Sequence, residues 1–595
     1  MIDFQGVQCD LPKLEWCFSF LTALTTRVLA SELQAHFTTD SNRQTPRWIA
    51  VGLDLSHCEL TTSQFVKLHE VMRAYAEFEP PQAESSGCQQ VFFVITSLNL
   101  SWNEFQSHRD YEIVTDIMLL QSSRVAVRHL NLTNTFYAKT PIAHVTAFQW
   151  FIQRVLRDDA SSLEELSLGG ECHVSDAHVA AVYSALRYST KLKALRIKQN
   201  PESTSKEDVS CNFQAMWSWL ALAVMHSSSV STLMSLAFPY FAITEEVVDC
   251  FQKTLESEQP AMIALTAESP EMEAIVKRDS EARIHPAGKT FVSIKRGSKL
   301  RLWPKTQASV LMLSQYAIDR PLEVVLTLSK WTCVIIPGCG FGWVMNAALV
   351  VHEERQMSSR RIPLRAFMWI APKTYTVAHI PAVRSLVCLI GEGLKALYLA
   401  KTQFTTDDMA TIVAHCPLLQ HLEVPRHNLL SLEFLRKHSS IRLRTLNVQF
   451  FVNGPAIDAY SPWSLVADLV AFLKSPASQR LWHLAFEYKW DGMMVTRLLT
   501  AVEKHPTLET VDIFHVSNEN GDVYERQATS PGQSPAMRQA VKLAFLSVIR
   551  HQLETTSIAL HRLDAVLVAA IFLFAAEPTQ KQINHIHRRA YTRGF

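Results

Sequence analysis

The stretch that decides the fold is Leu163-Glu-Glu-Leu-Ser-Leu168, in which leucines stand at the first, fourth and sixth positions. The same apolar spacing recurs in Leu192-Lys-Ala-Leu-Arg-Ile197, Leu394-Lys-Ala-Leu-Tyr-Leu399 and Leu443-Arg-Thr-Leu-Asn-Val448. The last two apolar residues of each copy are separated by one residue, which is the period of a short strand with one side buried. The sequence therefore predicts a strand at every copy.

Looser copies of this spacing extend the pattern, with steps between copies of 24 residues (422 to 446) up to 45 residues (53 to 98). Their apolar residues are Ala50/Leu53/Leu55, Ile95/Leu98/Leu100, Val127/Leu130/Leu132, Leu233/Leu236/Phe238, Leu364/Phe367/Trp369, Leu419/Leu422/Val424, Leu481/Leu484/Phe486 and Leu508/Val511/Ile513. The intervening stretches have helical period, and one of them places on a single face Phe65, Leu68, Val71, Met72 and Tyr75. Stacked strand–helix units share a core that no unit can form alone. We therefore predict an α/β solenoid, a curved array with parallel strands on its concave face.

The turn after the strand is clearest in Val51-Gly-Leu-Asp-Leu-Ser-His-Cys58 and Thr96-Ser-Leu-Asn-Leu-Ser-Trp-Asn103. These segments resemble the leucine-rich-repeat superfamily, nearest its ribonuclease-inhibitor-like class. The resemblance implies that Asn103 and Asn200 hydrogen-bond the backbone of the turn. In other copies the same position holds Glu171, Thr402, His427 or Lys489. The likeness is therefore to the superfamily, over the two blocks of repeats.

The spacing divides the chain into five segments. The repeats form a first block over 47–265 and a second over 362–516, and the spacing breaks down over 266–361. This middle segment is strand-rich and is either an inserted subdomain or a run of degenerate repeats. Residues 1–46 are predicted to be a helical cap, because the terminal units of a solenoid need closure. A polar loop, a pair of helices and a basic tail are predicted over 517–595.

Composition and charge exclude several classes of protein. With 57 Lys+Arg, 56 Asp+Glu and a net charge of +1, the chain lacks the positive charge of a nucleic-acid-binding protein. Its 11 cysteines include no CxxC pair, which argues for a reducing compartment and against a structural zinc site. The start lacks the pattern of a signal peptide. The most apolar stretches, Cys333 to Val351 and Ala565 to Ala576, are interrupted or shorter than the about 20 residues of a membrane span. We expect an intracellular protein, cytoplasmic or nuclear, that is not bound to a membrane.

Sequence motifs predict no catalytic residue, cofactor or metal. Gly288-Lys-Thr290 resembles the end of a phosphate-binding loop, but Arg283 stands where the first glycine is needed. Gly338-Cys-Gly-Phe-Gly342 has Trp343 at the third glycine of a dinucleotide-binding fingerprint, so a tight turn is predicted instead. The chain has no HExxH or GxSxG sequence.

Residues that flank the inward leucines point to the opposite side of the predicted sheet. Neighbouring strands lie about 4.7–4.9 Å apart, so equivalent positions form columns, with His421 and His483 in one and Glu423 and Asp512 in another. Such columns indicate either a surface of mixed hydrogen-bonding groups that suits a protein partner or, if three ligands lie in exact register, a divalent metal site. The predicted partner-binding residues of the second block are Tyr398, His421, Glu423, Arg426, Asn447, His483, Glu487, Tyr488, Asp512 and His515. The equivalent residues of the first block are Asp54, Ser97, Asn99, His129, Asn131, Glu165, Arg196, Lys198 and Tyr240.

A non-catalytic scaffold that binds a protein partner through the concave face is therefore the expected function. The alternative comes from an apolar helix predicted near the end of the chain, which resembles the core of an F-box. Its matching residues are Leu563, Leu567, Ile571, Phe572 and Phe574. The resemblance implies docking on the adaptor of a ubiquitin ligase, with the repeats choosing the substrate. Asp564 stands where an F-box usually has proline, and a helix that caps the last repeat is the other interpretation.

Overall fold

The computed structural model contains two compact units, Met1–Leu389 and Ile390–Phe595. Each unit is built on a parallel sheet whose strands alternate with helices, so the α/β class and the solenoid-like repetition predicted from the sequence are confirmed. The structure describes residues 47–78, 91–120, 122–135, 142–156, 161–170, 175–199, 213–295, 300–301, 310–311, 321–352, 364–373, 375–424, 431–437, 441–449, 462–487, 492–516 and 582–588. The predicted cap over 1–46 and the predicted pair of helices after residue 517 lie outside these ranges.

The first unit contains the first fifteen strands of the described residues. Its strands are β1 (Arg47–Asp54), β2 (Val91–Asn99), β3 (Val125–Asn131), β4 (Glu165–Gly169), β5 (Ala194–Lys198), β6 (Ser235–Pro239), β7 (Arg283–Ile284), β8 (Phe291–Ile294), β9 (Leu300–Arg301), β10 (Val310–Leu311), β11 (Leu322–Thr327), β12 (Trp331–Ile336), β13 (Gly340–Met345), β14 (Leu349–His352) and β15 (Ala366–Ile370). Its helices are α1 (Thr62–Glu77), α2 (His108–Met118), α3 (Ile142–Val155), α4 (Asp176–Leu186), α5 (Phe213–Leu220), α6 (Glu245–Glu256), α7 (Pro260–Glu268), α8 (Glu271–Arg278) and α9 (Ile380–Ile390). A π-helical turn, Ala221–Met225, continues α5.

The parallel sheet of the first unit has the strand order β1-β2-β3-β4-β5-β6-β15. Its register aligns one buried apolar residue from each strand, namely Leu53, Leu98, Leu130, Leu166, Leu195, Leu236 and Phe367. This shared spine is what the repeated spacing predicts. One position is wrong: Ala50 is exposed and Val51 is buried, because β1 alternates without interruption through Val51, Leu53 and Leu55.

The helices of the first unit pack on the apolar side of this sheet. In α1 the predicted face is buried at Phe65, Leu68, Met72 and Tyr75, while Val71 is only half-buried. In α5 the ring of Trp217 lies 5.2 Å from that of Phe238 on β6. The opposite side of the sheet is left to polar residues.

Residues between β6 and β15 form a second, antiparallel sheet. Its strand order is β10-β9-β13-β12-β11-β8-β14, with β7 also paired to β11. Because β15 pairs directly with β6, the parallel sheet continues past this interval as if it were absent. The antiparallel sheet packs on α4, where the backbone N–H groups of Gly338 and Gly340 both donate to Oγ of Ser184 at 3.0 Å. Helix α4 is therefore enclosed between two sheets.

The second unit repeats the arrangement with strands and helices of its own. They are β16 (Ala396–Ala400), α10 (Thr406–Ala414), β17 (His421–Glu423), α11 (Glu433–Lys437), β18 (Thr445–Gln449), α12 (Pro462–Leu473), β19 (His483–Glu487), α13 (Gly492–Lys504), β20 (Thr510–Val516) and β21 (Gln582–Arg588). The register aligns Leu397, Leu422, Leu446, Leu484, Val511 and Ile583.

The predicted basic tail includes strand β21 over Gln582–Arg588. This strand runs parallel to β20, and Ile583 pairs with Val511 as the next member of the spine. The physical reason is that the open edge of β20 presents unpaired backbone groups, which a following segment with an apolar residue in register can satisfy.

Candidate functional site

The polar side of the second unit's sheet carries two columns of residues in register. The first column contains His421, Thr445, His483 and Thr510. The second contains Tyr398, Glu423, Asn447, Ala485 and Asp512. The structure thus places His421 with His483, and Glu423 with Asp512, as the sequence predicts. We call these two sets the polar columns.

Hydrogen bonds tie the polar columns together across neighbouring strands. Nδ1 of His421 lies 3.0 Å from Oγ1 of Thr445 on the next strand. Nδ2 of Asn447 donates to Oε2 of Glu423 at 3.2 Å. Nε2 of His483 lies 2.8 Å from Oδ2 of Asp512, and both side chains are mostly buried, with 24% and 18% exposed. These bonds fix the rotamers of side chains on an otherwise open face.

The His421 ring sits in an environment that disfavours its charged form. Burial lowers the pKa of the His421 imidazole, the guanidinium of Arg444 lowers it further, and the carboxylate of Glu423 acts in the opposite direction. The ring is therefore neutral at physiological pH and contributes a donor and an acceptor rather than a charge.

The remaining predicted residues of the second block are placed only in part. Tyr398 is half-buried on β16. Glu487 and His515 lie at the ends of β19 and β20, where the structure describes their backbone alone. Arg426, Tyr488 and the F-box-like residues Leu563, Leu567, Ile571, Phe572 and Phe574 lie outside the described residues. Docking on a ubiquitin-ligase adaptor therefore stays a prediction of the sequence.

The polar side of the first unit's sheet is similarly cross-linked. Nδ2 of Asn99 donates to Oδ1 of Asp54 at 2.9 Å, and Asn131 lies next in register. Nδ1 of His129 lies 2.9 Å from Oε2 of Glu165. The other predicted residues of this face are half-buried at Ser97, Lys198 and Tyr240 and exposed at Arg196.

A feature that the sequence analysis missed is a row of left-handed residues at the ends of the strands. It consists of His57 (φ 57°), Trp102 (φ 62°), Asn134 (φ 59°), Gly170 (φ 121°), Tyr240 (φ 69°) and Lys401 (φ 59°). Each stands two residues after the last inward apolar residue of its strand, a fixed spacing that could have revealed the row. The backbone N–H of Trp102, for example, donates to the carbonyl of Thr133 at 2.9 Å, so these turns continue the ladder of the sheet.

The residue that follows Trp102 is Asn103, which hydrogen-bonds the backbone of the turn as the resemblance implies. Its Oδ1 accepts from the backbone N–H groups of Cys58 and Leu60 at 3.2 and 3.1 Å. Its Nδ2 donates to the carbonyls of Leu55 and Leu100 at 2.7 and 3.0 Å. Asn103 therefore joins the turns of two neighbouring repeats. Thr402 is buried at the same position of β16, and the other residues predicted there, Glu171, Asn200, His427 and Lys489, lie outside the described residues.

Both glycine motifs have structural roles in the fold. The backbone N–H of Gly288 donates to Oε1 of Glu323 at 2.7 Å, and Gly338 begins the tight turn between β12 and β13. Within the described ranges, no group of three or more His, Cys, Asp or Glu side chains is arranged to hold a metal ion. The described helices likewise include none with the length and apolar character needed to cross a bilayer.

Comparison with known protein families and with curated protein sequences finds no match to this chain.

Proposed function

We propose that this chain is a leucine-rich-repeat protein that has no catalytic activity of its own and binds a protein partner through the polar side of its parallel sheets. The polar columns carry the proposal, because hydrogen bonds between neighbouring strands hold their side chains in register with the spine behind them. The aligned spine of each unit supports the assignment of the repeats, and so does Asn103, which bonds the backbone of two turns.

The polar columns have the character of a protein-recognition surface. They mix carboxylate, amide, imidazole, hydroxyl and phenol groups, as the polar parts of protein interfaces do. Because hydrogen bonds already hold His421, Asn447 and His483, less side-chain entropy is lost when a partner docks. A partner with its own mixture of donors and acceptors fits this surface best.

The proposal is tested by proximity labelling with the full chain in its native cell. We expect Tyr398→Ala combined with Glu423→Lys to remove one or more labelled proteins, because both residues belong to the polar columns. The matched control is Asp407→Lys combined with Glu433→Lys, which changes exposed residues on helices of the same unit. An unchanged set of labelled proteins in the first variant, with the chain folded by circular dichroism, contradicts the proposal.

A further inference from the structure

The turns after β1 and β2 present an exposed aromatic pair that lies outside the spine and the polar columns. The rings of His57 and Trp102 stack with their centroids 4.9 Å apart and their planes inclined by 18°. His57 is exposed, and 38% of Trp102 is exposed. A tryptophan held at the surface in this way is the kind of residue that carries binding energy in protein interfaces.

The backbone under this pair is strained. His57 and Trp102 both have left-handed φ values, 57° and 62°, whereas the next two repeats use Asn134 and Gly170 at the same position. For a residue with a Cβ this conformation costs about 1–2 kcal/mol, and asparagine and glycine adopt it most readily. Tyr240 and Lys401 adopt the same conformation at the equivalent position, so the left-handed φ belongs to the recurring turn. What distinguishes His57 and Trp102 is that their rings stack and are exposed.

The pair is also rigidly placed. The backbone N–H of His57 donates to the carbonyl of Ser101 at 3.0 Å, so the two turns are bonded directly. Asn103, the residue after Trp102, bonds the backbone of both turns. A ligand that binds the rings therefore meets a surface that is already formed, which lowers the entropy lost on binding.

The charged side chains of the two turns, other than His57 itself, are acidic. Residues 54–61 and 99–107, which make up the strand ends and turns, contain Asp54, Glu59 and Glu104 but neither lysine nor arginine. Glu59 and Glu104 are exposed. Oδ1 of Asp54 is held by the N–H of Ser56 at 3.0 Å and by Nδ2 of Asn99.

We propose that the His57–Trp102 pair, with the carboxylates of the same two turns, binds an arginine side chain of the protein partner. A guanidinium is planar and stacks on an aromatic ring, while its N–H groups pair with carboxylates. Lysine offers the same charge without the plane, so the site prefers arginine. This inference rests on the proposed function and names the chemistry of the partner at one end of the first unit's sheet.

The probe is a fluorescein-labelled peptide, Gly-Arg-Gly-Arg-Gly-Arg-Gly, titrated with the full chain and followed by fluorescence polarisation. We expect it to bind more tightly than the peptides with lysine or glutamate in place of arginine. Trp102→Ala is expected to weaken binding about 5-fold, within the range of cation–π contacts. The matched control is Trp482→Ala, since Trp482 is also 38% exposed but lies in the second unit. Binding of the lysine or the glutamate peptide as tight as that of the arginine peptide, or binding unchanged by Trp102→Ala, overturns the inference.

A second variant separates recognition from a structural role. Trp102→Gly removes the ring and relieves the left-handed backbone, so the unfolding midpoint should stay the same or rise while the arginine peptide binds about 5-fold more weakly, as with Trp102→Ala. A lowered midpoint with peptide binding retained would assign the stack a structural role and overturn the inference. The outcome is separate from the labelling test, because Tyr398 and Glu423 lie in the other unit. Loss of partners in that test without binding of the arginine peptide overturns this inference alone.

Discussion

Helices α4 and α10 occupy the same place in their repeats, after β4 and β16, but they are buried very differently. In α4 every residue from His178 to Leu186 is buried. In α10 the buried apolar residues Met409, Ile412 and Val413 lie on one side, and Asp407 and Ala414 are exposed. The antiparallel sheet on the outer side of α4 accounts for the difference. A repeat helix needs one apolar face, whereas a helix between two sheets needs apolar or small residues all round.

The contact between α4 and the antiparallel sheet depends on small residues on both sides. A Cβ added to Gly340 would lie 2.9 Å from the Cβ of Ala180, closer than real contacts of this kind. Ser184 accepts hydrogen bonds from two glycine N–H groups of the same turn. Helix α4 and the turn between β12 and β13 therefore approach each other so closely that only small residues fit between them.

The largest effect is expected from the ion pair that joins these layers. Nε and Nη2 of Arg187, at the end of α4, donate to the two carboxylate oxygens of Glu323 at 2.7 and 2.8 Å, and neither side chain is exposed. The hydroxyl of Tyr188 donates to the same carboxylate at 2.7 Å. Glu323→Gln leaves a buried guanidinium without a counter-charge, so we expect the free energy of unfolding in urea to fall by about 3–5 kcal/mol.

The control for this variant is an exposed pair of the same chemistry. Nζ of Lys277 lies 2.7 Å from Oε1 of Glu273, with 71% and 68% of the side chains exposed. Glu273→Gln should leave the free energy of unfolding essentially unchanged, because solvent screens this pair. If both variants have the same small effect, the ion pair does not hold the antiparallel sheet on α4.

A second difference between the helices is pH dependence, which comes from His178 in α4. The ring of His178 lies 4.8 Å from that of Phe148, and its Nδ1 is 2.6 Å from Oγ of Ser175. Burial lowers the pKa of His178 to about 4. As the pH falls, the imidazole of the unfolded chain, with a pKa of about 6.5, takes up a proton before the buried ring does. The stability that the neutral, buried His178 contributes is therefore complete above pH 6.5 and is lost as the pH falls toward 4.

The His178→Phe variant isolates this contribution from that of the carboxylates. We expect the free energy of unfolding of the natural chain to fall by about 3 kcal/mol more than that of the variant between pH 6.5 and pH 4. Urea titrations at several pH values measure the difference. Identical pH profiles for the two proteins would mean that His178 is accessible to protons in the folded state.

A third test distinguishes close packing on α4 from backbone conformation. Gly340 has φ 99° and Gly288 has φ 72°, so both have left-handed backbone. Of these two glycines, only Gly340 would gain a Cβ that collides with a neighbour. A Cβ added at Gly288 would lie 3.4 Å from its nearest neighbouring atom, which is an ordinary contact. Gly340→Ala should lower the free energy of unfolding by about 2 kcal/mol, and Gly288→Ala by about 1 kcal/mol. Hydrogen exchange of residues 176–186 should increase in the first variant only. Equal losses of unfolding free energy in the two variants would contradict a steric collision at Gly340.

The comparison also shows how far sequence predicts this molecule. The spine residues, such as Leu166 and Leu446, were predictable because the spacing of the repeat is local and recurs. The partners of Arg187 were not, because Glu323 is 136 residues away in a segment with no repeat spacing. The polar columns follow from register once the strands are known, but the left-handed turn at Trp102 depends on backbone geometry that propensity does not favour.

The smallest effect is expected at the start of α10. Its N-cap is Thr405, whose Oγ1 accepts from the N–H of Asp408 at 3.1 Å and donates to Oδ2 of Asp408 at 2.7 Å. Ser175 and His178 hold the same positions in α4, but there the Ser175 hydroxyl contacts Nδ1 of His178 and accepts no hydrogen bond from the backbone of the first turn. Thr405→Ala should lower the free energy of unfolding by about 1 kcal/mol and speed hydrogen exchange in the first turn of α10.

The control is Thr411→Ala, which removes only a bond to the carbonyl of Asp407 on the exposed side of α10. It should change the free energy of unfolding by less than about 0.5 kcal/mol. Because α10 packs on one side only, its first turn depends on the cap more than the first turn of α4 does. If Thr405→Ala leaves hydrogen exchange in that turn unchanged, packing of Met409 and Ile412 alone is enough to hold the helix start.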